Sequence, residues 1–293
     1  MNRIEKNDRL IELIHAHNHK AVISLDNEGG RLKSLIFDNK QIISDLKNNT
    51  YEQSFASAIL FPFANRIKNG VYSFNHTTYN LTCNEIDKNN AIHGLVFNKK
   101  FELVNTKTTD KTVEAQLEYI ENHPPKAYPF SFKIMLTYTL SKHRLLLKVN
   151  IKNTGSTDLP FTLGWHPYFC IKNFDKALLK FNSNQIVLTD SKMIPTKILE
   201  QKIEQPFFLK NKQLDDCFIL NNNKIEFDNG SHKIYIKTSS DLKFFQIYTP
   251  PNESKIALEP MTGFSDSFNH KKGLKILKPN TSTEEIWSVE MFK

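Results

Sequence analysis

"HKIYIKT", residues 232–238, sets Ile234 and Ile236 in alternation with Tyr235 and Lys237. Successive side chains of a strand point to opposite faces, so a repeat of two buries one face and wets the other, whereas a helix needs a repeat near 3.6. The same β-rich character returns in AVISL (21–25), RLKSLIF (31–37), VEAQLEYIE (113–121), FSFKIMLTYTL (130–140), RLLLKVNIK (144–152), KIEFD (224–228), KFFQIYT (243–249) and EEIWSVEMF (284–292). Between the runs stand clusters such as DNEGG, KNG, SKH, NTGS and DNGS, rich in the residues that reverse a chain between paired strands. Helical signal is thin: RIEKNDRLIELIHAH at 3–17 reads as one short helix, and nowhere do strands alternate with long helices. No linker, low-complexity run or internal repeat interrupts the chain. The expectation is all-β, with residues 1–293 forming one large antiparallel β-sandwich.

At 293 residues with 39% hydrophobic and 11% aromatic content, the chain is long enough to bury a sizeable core. Its formal net charge is +8. Even so, the five arginines (Arg3, Arg9, Arg31, Arg66, Arg144) are dispersed, and the lysines lie among asparagines rather than in a stripe interleaved with aromatics. That pattern reads as a solvated basic surface, with neither nucleic acid nor membrane as partner. The nine glycines form no GxGxxG and no GxxxxGK(S/T), so the common cradles for a dinucleotide or a triphosphate are excluded and no cofactor is expected. Cys83, Cys170 and Cys217 are odd in number and far apart, which reads as free thiols in a reducing compartment. The N-terminus is too charged for a signal core, and no apolar run of about 18 residues occurs; the expected location is cytoplasmic. HAHNH at 15–19 reads as a polar, frayed terminus, because no strand or helix spacing would aim its rings at one point. No metal is expected.

Four stretches carry chemistry: ANRIKNGVYSFNHTTYNL (64–81), AIHGLVF (91–97), TLGWHPYF (162–169) and IALEPMTGFSDSFN (256–269). His93 follows an apolar pair and precedes Gly94, a strand-end position where a core histidine satisfied by the backbone is the commoner outcome. Pro167 pushes His166 out of the α region onto an extended or turn segment, and the aromatic neighbours Trp165, Tyr168 and Phe169 suit either a sugar ring or a sandwich core. Glu259 ends the apolar run Ile256-Ala257-Leu258, where a carboxylate is costly unless paired or functional.

The order and spacing of these stretches resemble the aldose 1-epimerase (galactose mutarotase) family over nearly the entire chain. NRIKNGVYSFNHTTYNL (65–81) is similar to the family's Asn-Arg-Ile segment, IHG (92–94) to its first histidine motif and HPYF (166–169) to its second. ALEPMTGFSDSFN (257–269) resembles the motif carrying its glutamate, and LDDCF (214–218) falls where the family has a hydroxyl-binding aspartate. The resemblance implies a mutarotase-like supersandwich in which His166 protonates the ring oxygen of an aldopyranose and Glu259 takes the anomeric proton. His93, Arg66, Asp216, Asn65 and Trp165 would contact the sugar; whether Asp215 or Asp216 points inward stays open, because CFIL (217–220) shows alternation without its phase. The substrate implied is a small aldohexose, with galactose or glucose as the default. Two rivals remain: a non-catalytic carbohydrate-binding sandwich stacking sugar on Trp165, Tyr168 and Phe264, and a zinc site of His93, His166 and Glu259, a ligand set zinc accepts.

Overall fold

The alternating runs pair as antiparallel strands. In the computed structural model, which describes residues 1–241 and 243–292, strand makes up 52% and helix 4%. Ile234 and Ile236 of the opening stretch are fully buried while Tyr235 and Lys237 lie on the other face. Their strand, Lys233–Thr238, pairs with Lys224–Asp228 on one side and Ser282–Phe292 on the other. Ser282–Phe292 in turn pairs with Arg144–Asn153, which forms a ten-pair hairpin with Phe132–Ser141. These strands, with Glu102–Thr108 and Val113–Glu121 at one edge and Leu178–Lys180 and Phe207–Phe208 at the other, make a nine-stranded sheet.

A second, 13-stranded sheet begins with Arg3–Lys6, Leu10–His15, His19–Ser24, Leu32–Phe37 and Lys40–Ser44. It continues through Tyr168–Cys170, Lys255–Met261, Phe244–Tyr248, Asp215–Leu220, Ser183–Thr189 and Pro195–Glu200. Gly164–Trp165 and Ile59–Leu60 attach to its middle. The two sheets face each other across a continuous core. Leu136, Leu147, Val149 and Val289 come from the smaller sheet, and Leu13, Ile23, Leu35, Ile247 and Leu258 from the larger, all fully buried. Each such side chain contributes about 1.5–3 kcal/mol relative to exposure, which explains why alternation in the sequence translates into a sandwich: the polar phase faces out and the apolar phase has one place to go.

The N-terminal helix expected over 3–17 is not formed. Arg3–Lys6 and Leu10–His15 are paired strands, and Asn7 Oδ1 accepts from the amides of Arg9 and Leu10 in the turn between them. LIELI satisfies a helical repeat and a strand repeat at once; pairing with His19–Ser24 and burial of Ile11 and Leu13 decide for strand. HAHNH is therefore the turn of a hairpin rather than a frayed end, with His15 opposite His19 and both buried. Among the described residues, no helix is long and apolar enough to cross a membrane.

Candidate active site

All seven residues of Lys255–Met261 are buried, because both faces of this central strand are covered. Ile256 and Leu258 enter the inter-sheet core. Ala257, Glu259 and Met261 take the outer face, where two smaller apolar clusters around Met261 and Ala257 support loops laid over the sheet. Register then lines up neighbours on that face, since directly paired residues project to the same side. Glu259 pairs with Gln246 and Gln246 with Cys217; one step along, Ala257 pairs with Tyr168 and Tyr248, and Tyr248 with Asp215.

His166 is presented by the extended turn before Pro167, pinned by its amide donating to Ala58 O (3.1 Å) and its carbonyl accepting from Ser57 N (2.7 Å). Its Nε2 lies 3.3 Å from Glu259 Oε1. His93 is held with φ at +66°, its amide donating to Asn65 O, and Asn65 is itself at φ +59°. Left-handed backbone at residues other than glycine costs about 1–3 kcal/mol and concentrates at functional sites. Gly94, next in the chain, permits the bend: a Cβ there would come within 2.2 Å of Phe61 O. The His93 ring meets His166 edge-on at 5.1 Å between centroids.

Arg66 donates Nε and Nη2 to the Glu85 carboxylate and Nη1 to Asn65 Oδ1. Asn65 Nδ2 donates to Gln246 Oε1 (3.4 Å), and Gln246 Nε2 to Asp215 Oδ1 (2.6 Å). One chain of hydrogen bonds thus runs from Glu85 to Asp215 along the floor of a cleft. A hairpin tip closes its far wall: Ser265 Oγ donates to Met193 O and Asn90 Nδ2 to Lys192 O, bringing Met193 against the cleft.

Burial sets the protonation. It holds the Glu259 carboxyl well above its ordinary 4.5, with the charge of Asp215 adding and Arg66 partly opposing. It pushes His166 down to about 4, its own backbone carbonyl opposing and Arg66 adding. His93 falls well below 6.5 through burial, then through His166 and Arg66. Asp215 is raised by burial, against the pull of Arg66 and the Gln246 hydrogen bond. The desolvated pair therefore favours a proton on Glu259 over a charged imidazolium, and its titration belongs to both groups together. Glu259 Oε2, His93 Nδ1 and His166 Nδ1 are buried with no hydrogen-bond partner among the described residues, so the site retains hydrogen-bonding capacity that the protein itself does not use.

Two expectations are corrected. Trp165 does not reach the cleft: fully buried, it stacks on Trp287 in the inter-sheet core at 6.1 Å and 15°, because consecutive residues of an extended segment alternate faces and His166 takes the other one. Asp216 does not join the floor either. It pairs with Ile247, whose neighbour Leu258 is core, so the phase left open in the sequence places Asp215 in the cleft instead. Glu259, His166, His93, Arg66 and Asn65 come together. Gln246, Glu85 and the 189–195 hairpin were not anticipated. Gln246 had a signal, as the one amide in the apolar run FFQIY; Glu85 had none.

The fold and site define a large antiparallel β-sandwich carrying a buried imidazole–carboxyl pair beside a polar cleft. A profile described as aldose 1-epimerase matches residues 9–289, and the chain belongs to that family. It is similar to the uncharacterized protein YihR of Escherichia coli, 24% identical over 92% of this chain and 88% of that one. Human galactose mutarotase is 26% identical over 52% of this chain and 44% of its own length. Among solved structures, a galactose mutarotase-like protein from Clostridium acetobutylicum superposes with a TM-score of 0.88 at 22% identity, covering 100% and 98% of the two chains.

Proposed function

We propose that the protein is a mutarotase that interconverts the α and β anomers of an aldohexose. The observation that carries this reading is the 3.3 Å approach of His166 Nε2 to Glu259 Oε1, both buried, next to the polar cleft. Mutarotation moves one proton off the anomeric oxygen and puts one on the ring oxygen, and both oxygens are bonded to the same carbon, so the acid and base must be close neighbours. The neutral pair becomes the reactive ion pair when the Glu259 proton passes to His166 across the 3.3 Å contact; Glu259, then a carboxylate, takes the proton from the anomeric hydroxyl while His166, then an imidazolium, delivers one to the ring oxygen. The bond from C1 to the ring oxygen breaks as the carbonyl forms. Rotation about C1–C2 turns the other face of the aldehyde to the ring hydroxyl, and closure returns both protons to their donors. A carboxyl made more basic by burial suits this role near neutral pH.

Arg66, Asn65 and Asp215, already oriented by the network described above, and His93, held by its backbone, bind ring hydroxyls. The paired Glu85 carboxylate leaves Arg66 with little charge to offer an anionic group, which supports a neutral sugar. Three free cysteines are consistent with a cytoplasmic location. The deciding experiment follows the optical rotation of freshly dissolved α-D-galactose and α-D-glucose with wild type and Glu259→Gln. Faster mutarotation by the wild type alone supports the reading. Sugar binding without acceleration by either protein would instead favour a carbohydrate-binding module.

A further inference from the structure

Beyond Tyr168–Cys170 in the larger sheet, on the side away from Phe244–Tyr248, three hairpins bring their turns together. Two belong to the larger sheet, Leu10–His15 with His19–Ser24 and Leu32–Phe37 with Lys40–Ser44; the third, Phe132–Ser141 with Arg144–Asn153, belongs to the smaller. Each places one side chain at the junction. We propose that His19, Asp38 and His143 form a binding site for a divalent metal ion of the zinc type that ties the two sheets together.

The ligand set and its spacing carry the inference. His143 Nε2 lies 2.7 Å from Asp38 Oδ2, and His19 Nε2 lies 3.7 Å from Asp38 Oδ1. One ligand atom from each of the three residues lies within 4.8 Å of the others, a condition met by this group among the described residues. Zinc bonded to nitrogen and oxygen at about 2.0–2.2 Å in a tetrahedron separates its ligand atoms by roughly 3.3 Å, so the distances found bracket the geometry required. The two imidazoles stand at 88° with centroids 4.8 Å apart, each offering its edge to the shared carboxylate. Two imidazoles and one carboxylate are also the donor set of open zinc sites, with the fourth position left to water.

The backbone adds an independent observation. Asp38 and His143 sit in tight turns at φ +49° and +58°, positions that glycine would occupy at lower cost. Here a carboxylate and an imidazole fill them and face one another across the sheets. Asn18 Nδ2 donates to Asp38 Oδ1 at 2.8 Å, the kind of outer contact that orients a metal-binding carboxylate. His19 is almost fully buried, whereas the side chains of His143 and Asp38 are 16% and 27% exposed, giving an ion a path in. Binding through Nε2 of His19 places its ring proton on Nδ1 and gives up the long 3.4 Å contact from Asp38 N. His17, in the same HAHNH stretch, turns away to the Met1 amine and Arg3 and serves as an internal control.

The test uses the full chain stripped with chelator, loaded with zinc and desalted. One equivalent of zinc per chain and a melting temperature raised by several degrees are expected, because an ion that binds only the folded state stabilises it by mass action. His19→Ala and His143→Ala are expected to weaken binding at least tenfold and His17→Ala to leave it unchanged. X-ray absorption on the loaded wild type, which needs no variant to fold, is expected to show two imidazole nitrogens at about 2.0–2.1 Å. The optical-rotation assay of the cleft is expected to be the same with and without chelator, so this proposal and the mutarotase reading stand or fall separately. Retention of less than a tenth of an equivalent, equal affinity in His143→Ala, or a zinc shell without imidazole would overturn the assignment.

Discussion

Among the described residues, imidazole meets carboxylate at two places, and environment separates them. In the cleft, the His166 and Glu259 side chains are 6% and 2% exposed, and Glu259 Oε2 is bonded to nothing among the described residues. At the hairpin end, Asp38 is 27% exposed and takes contacts from His143, His19 and Asn18. The first carboxyl is pushed toward its protonated form by desolvation and keeps one oxygen without a hydrogen-bond partner among the described residues, which suits the proton exchange proposed for it. The second is a wetter carboxylate whose oxygens already gather donors from both sheets; it is built to hold elements together. The same two residue types therefore support different chemistry according to how much solvent they lose and how many partners they already have.

The contrast would break most directly at Glu259. Replacing it with glutamine keeps size and hydrogen bonding but removes the basicity, so kcat measured by polarimetry is expected to fall by about 10²–10⁴-fold while sugar affinity by calorimetry holds. An unchanged rate would remove the distinction between the two sites. His166→Asn is expected to cost about 10²-fold in kcat.

A smaller effect separates adjacent aspartates. Asp215→Asn removes a carboxylate from the floor of the cleft and is expected to raise KM about tenfold, the scale of one hydrogen bond to a charged group. Asp216→Asn, on the other face of the strand, is expected to stay within about threefold. Equal effects from the two would show that register does not control access to the sugar.

Acid titration of stability sharpens the comparison further. His166 is depressed from 6.5 to about 4 in the folded state, so between these values the unfolded chain binds a proton that the folded chain refuses, and this group's contribution is lost as pH falls through that window. Glu259, raised above 4.5, works in the opposite sense: the folded chain keeps a proton that the unfolded chain releases, and its contribution is lost as pH rises. Thermal melts from pH 6.5 to 4 are therefore expected to show a shallower loss on acidification for His166→Asn than for wild type, and a steeper one for Glu259→Gln. Parallel curves for all three proteins would contradict these shifts.

The smallest effect concerns Trp165. Because its ring packs on Trp287 rather than in the cleft, Trp165→Phe is expected to lower Tm by a few degrees, the scale of a core truncation, and to leave KM unchanged. A raised KM with an unchanged Tm would return Trp165 to the sugar site.

Much of the fold was legible because strand burial is a local, repeating signal. Ile234 and Ile236 announce their face within seven residues, and the hairpin of 132–153 is written as two alternating arms around a turn. The N-terminal segment was misread because LIELI fits both repeats over a short window, and only pairing with a neighbouring strand removes the ambiguity. In the site, Glu259 and His166 stood out as polar groups in apolar or aromatic surroundings. Glu85 did not, since an acidic residue in a polar stretch looks the same whether it faces solvent or a cleft, and the choice between Asp215 and Asp216 stayed open for want of the strand's phase.

What the sequence determined by itself was the β class and the absence of the common nucleotide-binding motifs, which depend on residue type and short-range spacing; the candidate acid and base came from the resemblance to the aldose 1-epimerase family. Tertiary structure alone decided the facing of Trp165, the choice between Asp215 and Asp216, and the meeting of His19 with His143. The reason is geometric: side chains of consecutive strand residues point to opposite faces, so a shift of one residue in register exchanges cleft for core. That register is set by pairing with strands distant in sequence, as when Phe244–Tyr248 aligns Gln246 between Cys217 and Glu259.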